Sequence, residues 1–247
     1  MMTEQATFRE HLPVVFISLG PGNSSRLTLE AYDILHTVDR IFCFGTLSDG
    51  QYNSYARDTV LAADKELESF VEVICLPMQS NRTDAVKVYD DLAERIASEW
   101  KDGKNVGVCV EGSSSVYASV RTVMDLLDRR NIHRMELPGV PSFIAAAALA
   151  GISLCDRNER LLIVPGNMIA TEITQWLSEG CNIVIMKLSR CVDEVRRAVK
   201  EHEADCEVHY FEYISCGNQV HLDNPERILA VESFPYFSQM IIKPKRK

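Results

Sequence analysis

The chain has 247 residues, of which 46% are hydrophobic and 25% are charged, the ordinary composition of a folded globular protein. Its 26 lysines and arginines against 35 aspartates and glutamates give a net charge of −9, which argues against a general binder of nucleic acid or anionic membranes. No apolar stretch reaches the ~18 residues of a membrane span, and the N-terminus lacks the order of a signal peptide. The eight cysteines include no CxxC, which argues against a tetra-cysteine zinc site and predicts free thiols in a reducing cytosol.

Strands and helices alternate in the first part of the chain. Residues 14–19 are almost continuously apolar, which predicts a strand buried on both faces, and helical spacing with Ser24 or Ser25 as the N-cap follows. The further strands are predicted at 41–44, 70–76, 106–110 and 133–137, and the further helices at 53–63, 83–100 and 116–129. Such alternation is typical of parallel βαβ units, so we predict an α/β fold with a mostly parallel N-terminal sheet and flanking helices.

The pattern changes after Pro138-Gly139. An alanine-rich helix is predicted through Ala150. Strands are predicted at 161–164, 182–188, 207–215, 226–231 and 239–242, with helices at 170–177 and 191–202. Because the last strands follow one another without full helices between them, we predict a mixed C-terminal sheet. The change in pattern predicts two α/β domains, residues 1–138 and 139–247.

Two turns at the ends of predicted strands are candidate ligand sites, because ligands of open α/β sheets bind at the carboxyl ends of strands. Gly20-Pro21-Gly22 lacks the GxGxxG spacing and any GK[ST], which excludes the dinucleotide and P-loop motifs. Residues 111–117, EGSSSVY, precede a predicted helix and so predict a nest of backbone N–H groups. Taken alone, the first segment is better explained as a tight turn, and the second is equally well explained as a serine-rich N-cap.

Two later segments have similar alternatives. Residues 138–148, PGVPSFIAAAA, fit a domain-boundary turn with a closely packed helix as well as a ligand site. Residues 183–188 predict a buried strand in which Met186 is either a core residue or a ligand contact. The six histidines show no HxH or HExxH spacing, so we predict no metal site.

In this order and spacing, the four segments resemble the tetrapyrrole (corrin/porphyrin) methyltransferase family, over essentially the whole chain. The family's GxGPG turn and LTLxA are similar to residues 18–22 and 27–31, its GDPxxYS to residues 112–118, and its PGxSSFxAAAA to residues 138–148. The family's GIPL is similar to residues 151–154, and residues 162–166 and 186–187 also match. The chain differs at Ser18 (family glycine), at Ser113-Ser114 (family Asp-Pro), and at 216–221 in place of GxPEER.

The resemblance implies a two-domain tetrapyrrole-methylase fold with S-adenosyl-L-methionine folded between the domains, and S-adenosyl-L-homocysteine as product. It implies that Tyr117 lies near the transferred methyl group, and that no covalent catalyst is needed, because the sulfonium already activates the methyl group. The implied cofactor-binding residues are Gly20, Pro21, Gly22, Gly112, Ser113, Ser115, Val116, Pro141, Ser142, Met186 and Ile214.

The implied substrate is a reduced tetrapyrrole bearing several carboxylates. Residues 53–57 and 235–242 are similar to KSLAxxI and DYFSLLL of the branch that methylates C20 of precorrin-2 or cobalt-precorrin-2 in cobalamin (vitamin B12) biosynthesis. Arginines form forked hydrogen bonds with carboxylates, so the candidate substrate-binding residues are Arg57, Arg82, Arg121 and Arg190. Tyr117, Glu212 or water is expected to accept the proton that leaves the methylated carbon.

Several alternatives stay open at this stage. One is methylation of another macrocycle carbon or of a diphthamide precursor; another is a binding protein of the same fold that has lost catalysis, as Ser113-Ser114 suggests. A third alternative, a plain nucleotide-binding α/β domain, is disfavoured because the chain has no phosphate-binding motif. The resemblance also implies a cytoplasmic homodimer with a small-molecule substrate and no nucleic-acid or membrane partner.

Overall fold

The computed structural model describes residues 11–48, 51–76 and 82–245, without the side chains of residues 48, 51, 52 and 82–84. The chain divides into two compact units, Met1–Val140 and Pro141–Lys247, which we call unit 1 and unit 2. One sheet in each unit, mostly parallel in the first and mixed in the second, confirms the predicted α/β fold. The predicted division into two domains, residues 1–138 and 139–247, stays a prediction. Within the described ranges no helix is long and apolar enough to cross a membrane.

The described residues of unit 1 form six strands and four α-helices. Its strands are β1 (Val14–Ser18), β2 (Arg40–Ser48), β3 (Gln51–Asn53), β4 (Val71–Cys75), β5 (Val106–Val110) and β6 (Arg134–Leu137). Its helices are α1 (Leu29–Leu35), α2 (Tyr55–Ala63), α3 (Arg82–Lys101) and α4 (Arg121–Arg129), with 3-10 helices at Ser24–Arg26 and Lys65–Phe70. Five strands are parallel in the order β4-β2-β5-β1-β6, while β3 pairs antiparallel with the end of β2. The carboxyl ends of the parallel strands therefore share one edge.

The centre of this sheet is buried on both faces, as the continuous apolar runs predict. All residues of β1 and β5 are buried. Phe16 and Val108 belong to the core beneath α3 and α4, whereas Ile17 and Cys109 belong to the core on the side of α1 and α2. Leu19, which follows β1, continues this alternation, because it belongs to the core on the side of α1 and α2.

Five strands and four α-helices make up unit 2 as far as residue 245, where its described part ends. Its strands are β7 (Arg160–Pro165), β8 (Cys181–Met186), β9 (Cys206–Glu212), β10 (Val220–Leu222) and β11 (Ser238–Pro244). Its helices are α5 (Ser142–Ala150), α6 (Ala170–Ser178), α7 (Val192–His202) and α8 (Pro225–Leu229), with a 3-10 helix at Leu188–Arg190. The strand order is β10-β9-β11-β8-β7, in which only the β7–β8 pair is parallel. Since β8 and β9 both run antiparallel to β11, the carboxyl ends of β7, β8 and β9 share one edge.

Two predicted helix starts were wrong. Helix α1 is capped by Thr28, whose Oγ1 accepts the Ala31 N–H at 3.1 Å, so neither Ser24 nor Ser25 is its N-cap. The serines instead begin a short 3-10 helix that Asn23 caps. Helix α4 begins at Arg121 rather than at 116, because residues 113–116 form a turn and Tyr117 has a left-handed φ of +48°.

The prediction for residues 226–231 was also wrong, because this segment begins with a short helix rather than a strand. The side chain of Asn224 accepts the Arg227 N–H at 3.1 Å, and Pro225 occupies the first helical position, which favours a helix start. The fifth strand of unit 2 is the three-residue β10. In unit 1 the three-residue β3 was likewise not predicted.

Candidate functional site

Two glycine turns meet at the carboxyl edge of the unit 1 sheet. The Gly20 N–H donates to the Gly112 carbonyl at 3.0 Å, and the Gly112 N–H donates to the Gly20 carbonyl at 2.7 Å. The two glycines have φ of +73° and +70°, a backbone conformation in which an L side chain is strained. Main-chain hydrogen bonds thus join the two turns that follow β1 and β5. These are the turns that the sequence predicted as candidate ligand sites.

Gly112 leaves an open position at this edge. A Cβ atom at Gly112 would have no heavy atom within 4 Å, whereas one at Gly139 would lie 2.5 Å from the Ser18 Cβ and 2.6 Å from the Gly112 carbonyl oxygen. Gly139 is therefore needed for packing behind the turn. Gly112 instead exposes main chain that a ligand can approach closely.

The serine turn after Gly112 does not form the predicted nest of N–H groups. The Ser115 N–H donates to Ser113 Oγ at 3.3 Å, and the Val116 N–H donates to the Ser113 carbonyl at 3.2 Å. These donors are engaged within the protein, and α4 begins further along the chain. The turn is therefore poorly suited to a phosphate, while a cofactor without phosphate groups needs no such nest.

A polar network extends from the buried Ser18 and Ser114 to the partly exposed Glu136 and the exposed Arg121. The Ser114 N–H donates to Ser18 Oγ at 3.0 Å, and the Ser114 hydroxyl donates to Glu136 Oε2 at 3.1 Å. Arg121 donates to both oxygens of Glu136 at 3.0 and 3.1 Å, and Arg134 donates to Glu136 Oε1 at 2.9 Å. Burial opposes ionisation of Glu136, but the hydrogen bonds from Ser114 and the two arginines hold its pKa below the ordinary value.

The four candidate substrate-binding arginines occupy different settings. Arg57 forms an ion pair with Glu68 at 2.7 Å, and Arg121 is engaged by Glu136. Arg190 is exposed at the end of the 3-10 helix Leu188–Arg190. Arg82 begins α3, and its side chain is outside the described part of the structure. To bind a substrate carboxylate, Arg57 and Arg121 would each have to release its glutamate partner or bind both carboxylates at once.

The predicted cofactor residues of unit 2 gather at the carboxyl edge of β7, β8 and β9. Ser142 begins α5, and its hydroxyl donates to Gln239 Oε1 at 2.9 Å while Gln239 Nε2 donates to the Ser142 carbonyl at 3.1 Å. Gln239 is directly opposite Met186 in the β11–β8 register. Ile214 is buried just after β9. Pro141, Ser142 and Met186 are thus brought together through β11.

The exits of β7 and β8 touch each other through their main chains. A Cβ atom at Gly166 would lie 2.0 Å from the carbonyl oxygen of Lys187, which itself has a left-handed φ of +60°. Burial lowers the pKa of Lys187, and the charge of Arg190 lowers it further. After β9, Tyr213 and Ser215 also have left-handed φ of +46° and +70°. Such strained non-glycine residues concentrate at functional sites.

Glu111 is a further candidate that the sequence motif EGSSSVY contains but that was not predicted as a site residue. It follows β5 directly, and its Oε1 accepts the Ala56 N–H at 3.2 Å in the first turn of α2. Burial raises the pKa of Glu111, opposed by hydrogen bonds from its own and the Ala56 N–H. The signal that could have found it is an acidic residue immediately after a fully buried strand. The two side chains predicted as proton acceptors lie in other environments than Glu111. Tyr117 is exposed, and Glu212 Oε1 accepts the Tyr210 hydroxyl at 2.5 Å.

We expect Glu111→Gln to stabilise unit 1 at alkaline pH. Because the folded-state pKa is raised, the folded protein binds this proton more tightly than the unfolded chain, so stability is greatest below the ordinary glutamate pKa and falls as pH rises through the raised value. The variant should remove this loss and be more stable than wild type at pH 8. Urea unfolding between pH 4 and pH 8 measures it, with Glu232→Gln, an exposed glutamate, as control. Identical pH profiles for wild type and Glu111→Gln would contradict the assignment.

Curated relatives match most of this chain. Cobalt-precorrin-2 C(20)-methyltransferase of Salmonella typhimurium is 26% identical over 235 residues, covering 92% of this chain and 94% of that protein. Precorrin-2 C(20)-methyltransferase of a Sinorhizobium species is 25% identical over 233 residues, covering 93% and 94%. Cobalamin biosynthesis protein CobIJ of Mycobacterium tuberculosis is 26% identical over 239 residues. The match covers 94% of this chain but only 46% of CobIJ, so this chain spans about half the length of that relative.

Solved structures share the fold. A cobalt precorrin-4 methyltransferase superposes with a TM-score of 0.71 at 16% identity, covering 94% of this chain and 95% of that chain. A uroporphyrin-III-C-methyltransferase from Thermus thermophilus gives a TM-score of 0.63 at 16% identity, covering 94% of each chain. The sequence model of the tetrapyrrole (corrin/porphyrin) methylases matches residues 13–229. This match confirms the resemblance: the chain belongs to the tetrapyrrole (corrin/porphyrin) methylase family.

Proposed function

We propose that this chain is an S-adenosyl-L-methionine-dependent C-methyltransferase of cobalamin biosynthesis, acting at C20 of precorrin-2 or cobalt-precorrin-2. The observation that carries the proposal is the pair of joined glycine turns, with an open main-chain position at Gly112, in a chain matched over residues 13–229 by the family model. The choice of C20 is supported by the two relatives named for that reaction, each of which this chain covers almost completely.

The residues present fit the cofactor. S-adenosyl-L-methionine supplies a methyl group that its sulfonium charge activates, and it carries no phosphate that would need a nest of N–H groups. The task of the protein is then to orient donor and acceptor and to exclude water, worth up to about 7–11 kcal/mol in well-oriented systems. The proposed contacts from unit 1 are Gly20, Pro21, Gly22, Gly112, Ser113, Ser115 and Val116. Those from unit 2 are Pro141, Ser142, Met186 and Ile214.

Recognition of the substrate is proposed to depend on arginine. The chain has a net charge of −9, so a polycarboxylate needs local positive charge to overcome repulsion. Arg57, Arg82, Arg121 and Arg190 are proposed to provide it, with Arg57 and Arg121 exchanging or sharing the carboxylates of Glu68 and Glu136. Tyr117 is proposed to lie near the methyl group; Tyr117, Glu212 or water takes the proton that leaves the methylated carbon.

Assembly and location belong to the same proposal. We propose a homodimer, supported by the exposed apolar side chains of Ile144 and Leu149 on α5, which light scattering of the purified protein tests. The eight cysteines are all free, as suits a reducing cytoplasm.

The decisive experiment is a single-turnover assay. Purified protein is incubated with isotopically labelled S-adenosyl-L-methionine and either precorrin-2 or cobalt-precorrin-2, and the product is identified by mass and by the position of the label. A product carrying one added methyl group at C20 is expected. Methylation at another carbon would replace the proposed specificity but keep the reaction class.

A second candidate function, a binding protein without catalysis, is favoured by Ser113-Ser114 in place of the family's Asp-Pro. Calorimetric titration with S-adenosyl-L-homocysteine separates the two classes of function. We expect saturable binding. No binding at millimolar ligand would contradict the methyltransferase proposal and favour the second candidate.

A further inference from the structure

We propose that Ser18 and Ser114 are a coupled pair of positioning residues that together hold the Gly112 turn in its cofactor-binding conformation, replacing the glycine and proline that family sequences carry at these two positions. The inference rests on the proposed function, because it assigns the turn to cofactor binding. It explains how the chain departs from two family motifs without losing the geometry of the turn.

The two departures meet in one hydrogen bond. Ser18 is fully buried at the end of β1, and its Oγ accepts the N–H of Ser114, which is also buried and lies 96 residues later in the chain. A proline at 114 would have no N–H to donate, and a glycine at 18 would have no oxygen to accept it. Glycine at 18 with serine at 114 would leave the buried Ser114 N–H unpaired, and proline at 114 with serine at 18 would leave the Ser18 hydroxyl unpaired. The pair of family residues, like the pair of serines, leaves neither group unpaired.

The side chain of Ser114 adds a second attachment. Its hydroxyl donates to Glu136 on β6, and the Glu136 carboxylate is held by Arg121 and Arg134. The pKa of Glu136 is lowered by these donors although partial burial opposes them, so the carboxylate remains an ionised acceptor at neutral pH. Ser114 is therefore tied through its main chain to β1 and through its side chain to β6.

The local packing accommodates the larger residue at position 18. A Cβ atom at Gly139 would lie 2.5 Å from the Ser18 Cβ and 3.0 Å from its carbonyl oxygen, so the absence of a side chain at 139 provides the space that Ser18 occupies. The same Cβ atom would lie 2.6 Å from the Gly112 carbonyl oxygen. Ser18, Gly139 and the Gly112 turn thus form one packed unit, and loss of the Ser18–Ser114 bond is transmitted to Gly112.

A double-variant cycle tests the coupling. Ser18→Gly and Ser114→Pro are each expected to weaken S-adenosyl-L-homocysteine binding about 10-fold, because each leaves one buried polar group unpaired. The double variant Ser18→Gly with Ser114→Pro should return to within about 3-fold of wild type, a strongly non-additive result. Ser113→Asp with Ser114→Pro should bind more weakly than the triple variant that also contains Ser18→Gly. In turnover assays the single changes should raise KM for the cofactor more than they lower kcat.

Amide exchange gives a readout that does not depend on ligand. In the free protein, the Ser114 amide should exchange slowly, and Ser18→Gly or Ser18→Ala should accelerate exchange across residues 112–116. Ser153→Ala, which removes an exposed hydroxyl that donates to the Cys155 carbonyl in unit 2, is a control for serine substitution elsewhere and should change neither readout. Ser18→Ala also covers the case in which Ser18→Gly fails to fold.

The outcomes separate this inference from the proposed function. Additive losses in the double variant, or unchanged exchange in Ser18→Ala, would overturn the coupling even where wild type binds the cofactor. Coupled exchange in a wild-type protein that binds no S-adenosyl-L-homocysteine would instead overturn the proposed function, and with it the assignment of the pair to cofactor binding.

Discussion

Replacing Gly112 with alanine is expected to weaken S-adenosyl-L-homocysteine binding by about 100-fold or more, which corresponds to roughly 2.7 kcal/mol. The new Cβ would meet no protein atom within 4 Å, so it would extend into the open position proposed for the cofactor. The positive φ adds a folding cost of about 1 kcal/mol, which is too small to unfold a typical domain. Calorimetric titration measures the affinity, and urea unfolding confirms that the fold is retained.

Gly151→Ala is the matched control for this prediction. Gly151 has nearly the same φ, +66°, and a Cβ there would also meet nothing within 4 Å, but it ends α5 as an ordinary left-handed C-cap. It should lose a similar amount of stability without losing cofactor affinity. Equal affinities for Gly112→Ala and wild type would show that the cofactor does not approach this turn.

Replacing Gly166 with alanine is expected to destabilise unit 2 by about 3 kcal/mol or more. Its Cβ would lie 2.0 Å from the Lys187 carbonyl oxygen and 2.8 Å from the carbonyl carbon, and a third main-chain atom, the Met186 oxygen, would lie at 3.1 Å. These atoms belong to the backbone, so no side-chain rotation relieves the clash. The exits of β7 and β8 must separate, which should also displace Met186 and weaken cofactor binding.

Gly217→Ala provides the comparison within the same unit. A Cβ there would have no neighbour within 4 Å, and Gly217 has no positive φ, so the change should alter stability by no more than about 0.5 kcal/mol. Denaturant unfolding of both variants gives the difference directly. A Gly166→Ala protein as stable as Gly217→Ala would show that the two strand exits are not in contact.

The sequence predicted the elements that are buried on both faces. β1 and β5 are continuous apolar runs whose bounds the structure reproduces to within one residue. Short elements were harder, because three residues of β3 or β10 carry too little pattern to distinguish a strand from a loop. At residues 226–231 the apolar Ile228, Leu229 and Val231 favoured a strand, but the local hydrogen bond of Asn224 and the fixed φ of Pro225 favour the helix that forms.

The candidate site was predicted in part, and its limits have a physical cause. The turns at Gly20 and Gly112 were found because glycine after a buried strand is a local signal. The Ser18–Ser114 hydrogen bond was not, because it joins positions 96 residues apart and depends on the neighbouring order of β1 and β5. The predicted N–H nest was wrong for a local reason, because the Ser115 and Val116 N–H groups donate to Ser113 within the turn itself.

The position of β11 has a consequence for biogenesis. Residues 238–244 form the central strand of their sheet, pairing with β8 on one side and β9 on the other. On the ribosome, this sheet therefore stays divided until that segment emerges, while all strands of unit 1 have already been translated. A chain terminated before Ser238 would expose two long apolar strand edges at once, which makes it a target for chaperones, proteolysis or aggregation rather than a partly active product.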